Sequence, residues 1–299
     1  MISDFPEFIP LGPEHRQRVA EFLRLSPRTT CDLSLTNIYA WQDCETPIAT
    51  LVNGNLCILI RTHREPEYFL EPLGDNQLLE TVGICLKHAG RISRAGESFL
   101  NRLPHDRFHS SPLWDHFDYI FEVKALAELK GKKFDGKRNQ IRKFIKNQPG
   151  FSFIPLQASN RDQALALFER WAHERQNGGE EGSSLPHSGE ECQKHALERA
   201  FEGFSDLGLK GGAILVDGEM QGFILGSEGN PVTAIAHFQY ANSKMPGIYQ
   251  LLLQRTCQEV FSSYAYLNLE EDLGIPGLRK TKLSYQPLRI EKKFLITSK

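Results

Sequence analysis

The same turn chemistry occurs twice in this chain. Asn53-Gly54 joins the apolar runs PIATLV and LCILIR, and Asp217-Gly218 joins GGAILV and EMQGFILG. Asn-Gly and Asp-Gly pairs accept the left-handed backbone that a two-residue hairpin requires, so each pair fixes two adjacent antiparallel strands. Each half of the chain must therefore build a sheet around its own hairpin.

The elements flanking the two hairpins follow a similar order. In the first half, periodicity predicts helices at 13–24 and about 34–42, the hairpin, a strand in YFLEPLG, and a helix from Asn76 to Ala89 with Leu78, Val82, Cys85 and Leu86 on one side. A strand near 91–94 and the strand FDYIFEV follow. In the second half come FSFIPL, a helix capped by Asn160, a helix around 190–203, the hairpin, and the strand VTAIAHFQY. Pro246-Gly247 then opens a helix, followed by AYLNLEE, a short helix at 277–283 and a last strand, RIEKKFLI. This predicts a duplicated α/β unit: residues 1–125, a basic bridging helix at 126–150, and residues 151–299 carrying the site.

A chain of 299 residues with 40% apolar and 24% charged residues is long enough for two packed cores and is globular in composition. No apolar run reaches the roughly 18 residues needed to span a bilayer, and residues 1–10 lack the pattern of a signal peptide. The expectation is a cytoplasmic protein without a transmembrane segment, compatible with peripheral membrane contact. The cysteines at 31, 44, 57, 85, 192 and 257 show no CxxC spacing, which predicts reduced packing residues and no zinc site.

Charge is unevenly placed. Residues 130–146 hold eight Lys or Arg against one Asp, and residues 279–293 hold six against Glu291, while the whole chain is at −2. Two basic segments on an acidic body point to a localised site for a phosphate-bearing partner. A solvated helix face explains the first segment equally well.

The stretches FDYIFEVKALAELKGKKFDGKRNQIRKF, LKGGAILVDGEMQGFILG, TAIAHFQYANSKMPGIYQ and YLNLEEDLGIPGLRKTKLSYQP resemble the soluble relatives of the C-terminal domain of bacterial phosphatidylglycerol lysyltransferases. The resemblance covers nearly the whole chain. It implies two tandem acyl-CoA N-acyltransferase-like (GNAT-like) domains of α/β (α+β) class, each a mixed, mostly antiparallel sheet flanked by helices. The leading expectation for function is acyl or aminoacyl transfer. The membrane-bound members of that family move an aminoacyl group from charged tRNA to a lipid headgroup, so the expected partners are tRNA or another phosphate-bearing donor and a small-molecule, lipid-headgroup or peptide acceptor.

The residues that would carry such chemistry cluster in a few places. In coenzyme A acyltransferases of this fold, a Q/R-x-x-G-x-G/A turn holds pyrophosphate through backbone N–H groups. The corresponding turns here, PLGDNQ and NSKMPG, have one glycine each. No cofactor is therefore expected to be required: aminoacyl-tRNA is the expected donor, acyl-CoA the alternative, and no metal is expected. A coenzyme A-dependent N-acyltransferase and a non-catalytic tRNA- or phosphate-binding protein are the competing readings.

Glu270 and Asp272, alternating on a strand, would share a face, with Glu271 opposite. Together with His237 and Tyr240 they form the expected catalytic set. Arg279, Lys280, Lys282, Tyr249, Asn268 and Tyr285 form the expected substrate-binding set, and Lys132, Lys133, Lys137, Arg138, Asn139 and Arg142 the expected phosphate or tRNA contacts. In the alternative, the acids pair with Arg279 and Lys282 as a structural clamp, and His237 and the tyrosines are packed residues.

Overall fold

The computed structural model of the protein describes residues 1–26, 29–177 and 187–299. Both predicted hairpins form: Asn53 and Gly54 take φ values of 52° and 78°, and Asp217 and Gly218 take 52° and 81°, the doubly left-handed turn that matches strand twist. Along the chain lie β1 (Ile9–Pro10), α1 (Arg16–Leu25), α2 (Leu35–Ala40), β2 (Thr46–Val52), β3 (Asn55–Arg61), β4 (Tyr68–Phe69), α3 (Leu78–Ala89), β5 (Ile92–Gly96) and α4 (Glu97–Leu100). They continue with β6 (Phe108–Pro112), β7 (Asp118–Glu122), α5 (Val123–Glu128), α6 (Asp135–Asn147), β8 (Ser152–Pro155), α7 (Arg161–Asn177), α8 (His187–Glu202), β9 (Lys210–Val216) and β10 (Glu219–Asn230). The last elements are β11 (Thr233–Ala241), α9 (Ile248–Glu259), β12 (Tyr266–Asn268), α10 (Pro276–Leu283), β13 (Arg289–Glu291) and β14 (Lys293–Ser298).

The strands form two mixed sheets. One runs β1-β2-β3-β4-β5-β14-β6, the other, read from its far edge, β8-β9-β10-β11-β12-β7-β13. The two orders correspond place by place, with a parallel contact at β4–β5 and again at β11–β12. The sixth place is the exception to sequence contiguity: β14, from the chain's end, fills it in the first sheet, and β7, from the chain's middle, fills it in the second.

Two compact units result, Met1–Asp118 with Glu270–Gly274 and Ile290–Lys299, and Tyr119–Leu269 with Ile275–Arg289. Neither is a contiguous stretch, unlike the expected 1–125 and 151–299, because strand pairing crosses the sequence halves. The basic helix expected as a bridge, α6, lies within the second unit. The expected single strand RIEKKFLI is two strands, β13 and β14, in different sheets.

Each unit has its own core. In the first, Phe69, Val82, Cys85, Leu86, Ile92 and Phe99 pack with Ile296 of β14. In the second, Phe121, Phe134, Phe144, Leu252, Phe261 and Leu267 pack together. Burying such side chains contributes about 1.5–3 kcal/mol each. Helix α6 buries Ile141 and Phe144, while Ile145 is 40% exposed. Cys31, Cys57, Cys85 and Cys257 are buried free thiols.

Candidate functional site

In the second unit, β11 and β12 pair only from Thr233↔Tyr266 to Ile235↔Asn268, after which β11 runs on to Ala241. Beyond that point the register against β10 slips from Leu225↔Phe238 to Gly226↔Ala236, leaving His237 as the extra residue of a bulge. Its Nε2 lies 2.8 Å from Ser227 Oγ, with both residues buried. Tyr240 is a packed residue: its hydroxyl donates to Gln193 Oε1 at 2.8 Å and its ring meets Phe168 and Trp171 edge-on at 4.9 Å. Tyr249 ties down the end of β11, its hydroxyl donating to Ala241 O at 3.0 Å and accepting from Ala241 N at 3.3 Å. Burial pushes its phenol up. Asn268 is fully buried at the end of β12.

The loop that follows β12 departs from expectation. The strand ends at Asn268, before the acids, and Glu270 takes φ 58°, so the side-chain alternation assumed for Glu270 and Asp272 is broken. Glu270 accepts from Asn37 Nδ2 at 2.9 Å. Asp272, 1% exposed, accepts from Gly274 N at 2.9 Å, closing a turn. Glu271 faces inward.

Glu271 belongs to a buried charge cluster that sequence reasoning missed. Lys293, the first residue of β14 and 0% exposed, places its Nζ 2.5 Å from Asp32 Oδ2, 2.8 Å from Asp118 Oδ1 and 3.1 Å from Glu271 Oε2. Cys31 Sγ lies 3.3 Å from the same nitrogen. Arg94, itself at φ 58°, shares Asp32 at 3.7 Å and reaches Glu45 and Glu65, and His116 Nδ1 is 3.7 Å from Glu271 Oε1. The metal-ligating atoms of Cys31, Asp32 and Glu271 lie within 4.8 Å of one another, and the ammonium stands among them as the counter-ion.

Burial alone would strip Lys293 of its proton, but Asp118 and Asp32 outweigh it and hold the ammonium well above its usual pKa. Burial likewise works against the Glu271 carboxylate, yet Lys293, His116 and Arg94 keep it well below its usual range. One ammonium does not neutralise three acids. Asp118, where desolvation wins, is pushed up to about 6. Two signals in the sequence could have found this cluster: a lysine opening the apolar run of β14 and an aspartate opening that of β7, both at strand positions where a charge needs a buried partner.

The expected cationic residues divide into engaged and exposed groups. Lys282 is buried in the second unit, donates to Leu269 O and sits 5.7 Å from the Tyr119 ring, so it does not share an outward face with Arg279. Arg279 is half-buried and Lys280 exposed. Tyr285 is a core residue whose ring lies 4.0 Å from Lys137 Nζ. Lys137 also donates to Ser284 Oγ at 2.6 Å, and burial lowers its pKa. Arg138 is a backbone clamp, donating to Leu129 O and Gly131 O and pairing with Asp135. Lys132, Lys133, Asn139 and Arg142 are exposed.

In both turns that could cradle a pyrophosphate, the chain packs closely against the single glycine. A Cβ on Gly247, which opens α9 at φ 97°, would lie 2.1 Å from Gln140 O and 3.1 Å from Phe144 Cβ, so α6 covers the start of α9. In the first unit a Cβ on Gly74 would lie 2.3 Å from Asn55 Oδ1, which accepts from Asn76 N at 3.0 Å.

Two mixed sheets of matching order, each with a parallel contact between its fourth and fifth strands and with flanking helices, define a pair of tandem acyl-CoA N-acyltransferase-like domains. More particularly, residues 23–297 match the family model described as "Phosphatidylglycerol lysyltransferase, C-terminal", and the chain belongs to that family. A crystal structure of a conserved protein of unknown function from Bacteroides thetaiotaomicron superposes with a TM-score of 0.87 at 28% identity, covering 100% of each chain. The structure of L-PGS from Bacillus licheniformis shares the fold, with a TM-score of 0.66 at 15% identity over 100% of this chain and 94% of that one. The uncharacterized protein MYCGA3080 of Mycoplasmoides gallisepticum is 27% identical over 180 residues, which is 60% of this chain and only 55% of that protein. Among the described residues no helix is long and apolar enough to cross a membrane.

Proposed function

We propose that this protein is an acyl or aminoacyl transferase that moves an aminoacyl group from charged tRNA to an amine or hydroxyl acceptor, lipid headgroups included, without a bound cofactor. The observation that carries this reading is the close packing of Gln140 against Gly247 and of Asn55 against Gly74, the single glycine of each candidate turn, which works against coenzyme A as donor. Family membership supports transfer chemistry, and the exposed Lys132, Lys133 and Arg142 around α6 support a phosphate-bearing donor.

An aminoacyl ester is already activated. The acceptor's nitrogen or oxygen attacks the ester carbonyl, the bond to the ribose oxygen breaks, and the acceptor's proton passes through a base to that leaving oxygen. The protein has only to hold the partners, accept a proton and stabilise the oxyanion. His237, held by Ser227 in its bulge, is the proton acceptor of the second unit in this reading, and Asp272 that of the first; their variants are tested separately below.

Mass spectrometry of products after incubation with charged tRNA or with acyl-CoA, each with amine, peptide and phospholipid acceptors, tests the proposal. Product is expected from the tRNA donor alone. Product from acyl-CoA, or a coenzyme A dissociation constant tighter than about 10 μM, roughly −7 kcal/mol, would replace it with the coenzyme A reading, and no product from either donor would refute it.

A further inference from the structure

The Lys293 ammonium has three N–H groups, and Asp32, Asp118 and Glu271 offer it three carboxylate oxygens at 2.5, 2.8 and 3.1 Å. Its hydrogen bonding is complete with those. The Cys31 sulfur at 3.3 Å is a fourth polar neighbour that the ammonium does not need. The thiol is 2% exposed, and its own S–H can donate to Asp118 Oδ1 or Glu271 Oε2, each at 3.3 Å. Burial pushes the Cys31 thiol up, so it keeps its proton; the cluster sets that thiol sulfur and a lysine nitrogen side by side, one atom's bridge apart.

Burial limits what can reach the pair. Glutathione and other bulky thiols or disulfides are excluded, so mixed-disulfide exchange is blocked, whereas a small apolar oxidant diffuses through a packed interior. We propose that dioxygen joins Cys31 and Lys293 through an oxygen-bridged S–O–N cross-link, making this cluster a redox-controlled switch within the first unit.

The step balances. The thiol, the ammonium and one dioxygen give the S–O–NH link, one water and one proton; sulfur and nitrogen each lose two electrons, and the dioxygen takes all four. One oxygen atom stays in the bridge and the other leaves as water. The released proton has a receiver in Asp118, whose carboxyl is pushed up to about 6 by burial. Reversal by two molecules of a dithiol returns the four electrons, restoring thiol, ammonium and a second water.

The cross-link removes the cation from the cluster. Asp32 and Glu271 lose the ammonium they share, and the segment Glu270–Gly274 loses one of the ties that hold it in the first unit. Oxidation should therefore loosen that segment, independently of any transferase activity.

The test uses the full chain, purified anaerobically under reductant and then held folded in air-saturated buffer. Digestion without reductant and high-resolution mass spectrometry should find the Cys31 peptide joined to the Lys293 peptide, with one oxygen gained and two hydrogens lost. Dithiol treatment should separate them, and Cys31→Ser, whose hydroxyl keeps a small polar group in the cluster, should never form the species. Recovery of Cys31 as a free thiol after prolonged exposure, or as a sulfinic acid unlinked to Lys293, overturns the proposal. Hydrogen–deuterium exchange gives a second readout: aeration should speed exchange across residues 270–274 in the wild type and leave Cys31→Ser unchanged, and an equal change in both proteins would overturn the proposal.

Discussion

Lys293 Nζ lies 2.8 Å from Asp118 Oδ1, and neither side chain is exposed to solvent. Removing one member of a buried ion cluster leaves uncompensated charge, typically at a cost of about 3–5 kcal/mol. Lys293→Met is therefore expected to lower the unfolding free energy by that amount in urea titration. Asp118→Asn should cost far less, because the ammonium keeps Asp32 and Glu271. Equal losses in the two variants would contradict the cluster as described.

The same pair sets a pH dependence. A carboxyl that folding raises prefers its proton in the folded state, so Asp118 favours the fold below its ordinary value of 3.8, and that contribution is lost as pH rises toward about 6. Glu271 acts in the opposite sense: held low by its partners, it contributes stability above its ordinary value of 4.5 that is lost on further acidification. Stability curves of wild type and Asp118→Asn should diverge between pH 4 and 6, with the wild type alone losing this contribution as pH increases.

Asp272→Asn separates chemistry from structure in the acid loop. Asparagine keeps an oxygen to accept from Gly274 N, so the turn should survive, while the charge and the proton-accepting strength are lost. A general base contributes roughly 100- to 10,000-fold, so transfer should fall by at least the lower figure with the melting temperature held near wild type. His237→Gln is the parallel test in the second unit. Full activity in either variant removes that residue from the mechanism.

The phosphate-binding reading of α6 and the turn before it also divides cleanly. Lys132, Lys133 and Arg142 are exposed, and their joint replacement by Ala should weaken tRNA binding and reduce the log–log salt slope by up to about 3, at about one per lost phosphate contact. Arg138→Ala should instead destabilise, because Leu129 O and Gly131 O lose their donor. A wild-type salt slope near zero would exclude tRNA contact through these residues.

Gly247→Ala tests the covered turn. The backbone there is left-handed, and the added Cβ would meet Gln140 O at 2.1 Å. A loss of more than about 1 kcal/mol is expected on strain alone, read by denaturant unfolding. A neutral outcome would mean that α6 moves away readily and that the turn can open to a phosphate.

By itself the sequence determined what depends on neighbours in the chain. Asn53-Gly54 and Asp217-Gly218 specify their hairpins because few other residue pairs tolerate two successive left-handed φ values, and Pro246-Gly247 opens α9 as its own geometry demands. The apolar periodicities of α3, β9 and β11 likewise reveal their elements, since each must bury one face or both. Tertiary structure alone decided the rest. Nothing local distinguishes β7 and β14 as strands that pair outside their own sequence halves, because pairing is selected by the sheet edge a strand can cover. Glu271, not the Glu270–Asp272 pair, turned inward, because the left-handed φ of Glu270 broke the strand alternation. Lys137, Arg138 and Lys282 looked like anion ligands in a basic run, yet each found an internal partner. Lys293 meets Cys31 and Asp32 from the far end of the chain: a buried ammonium is tolerated only where acids converge in space, and that convergence leaves no trace in spacing along the sequence.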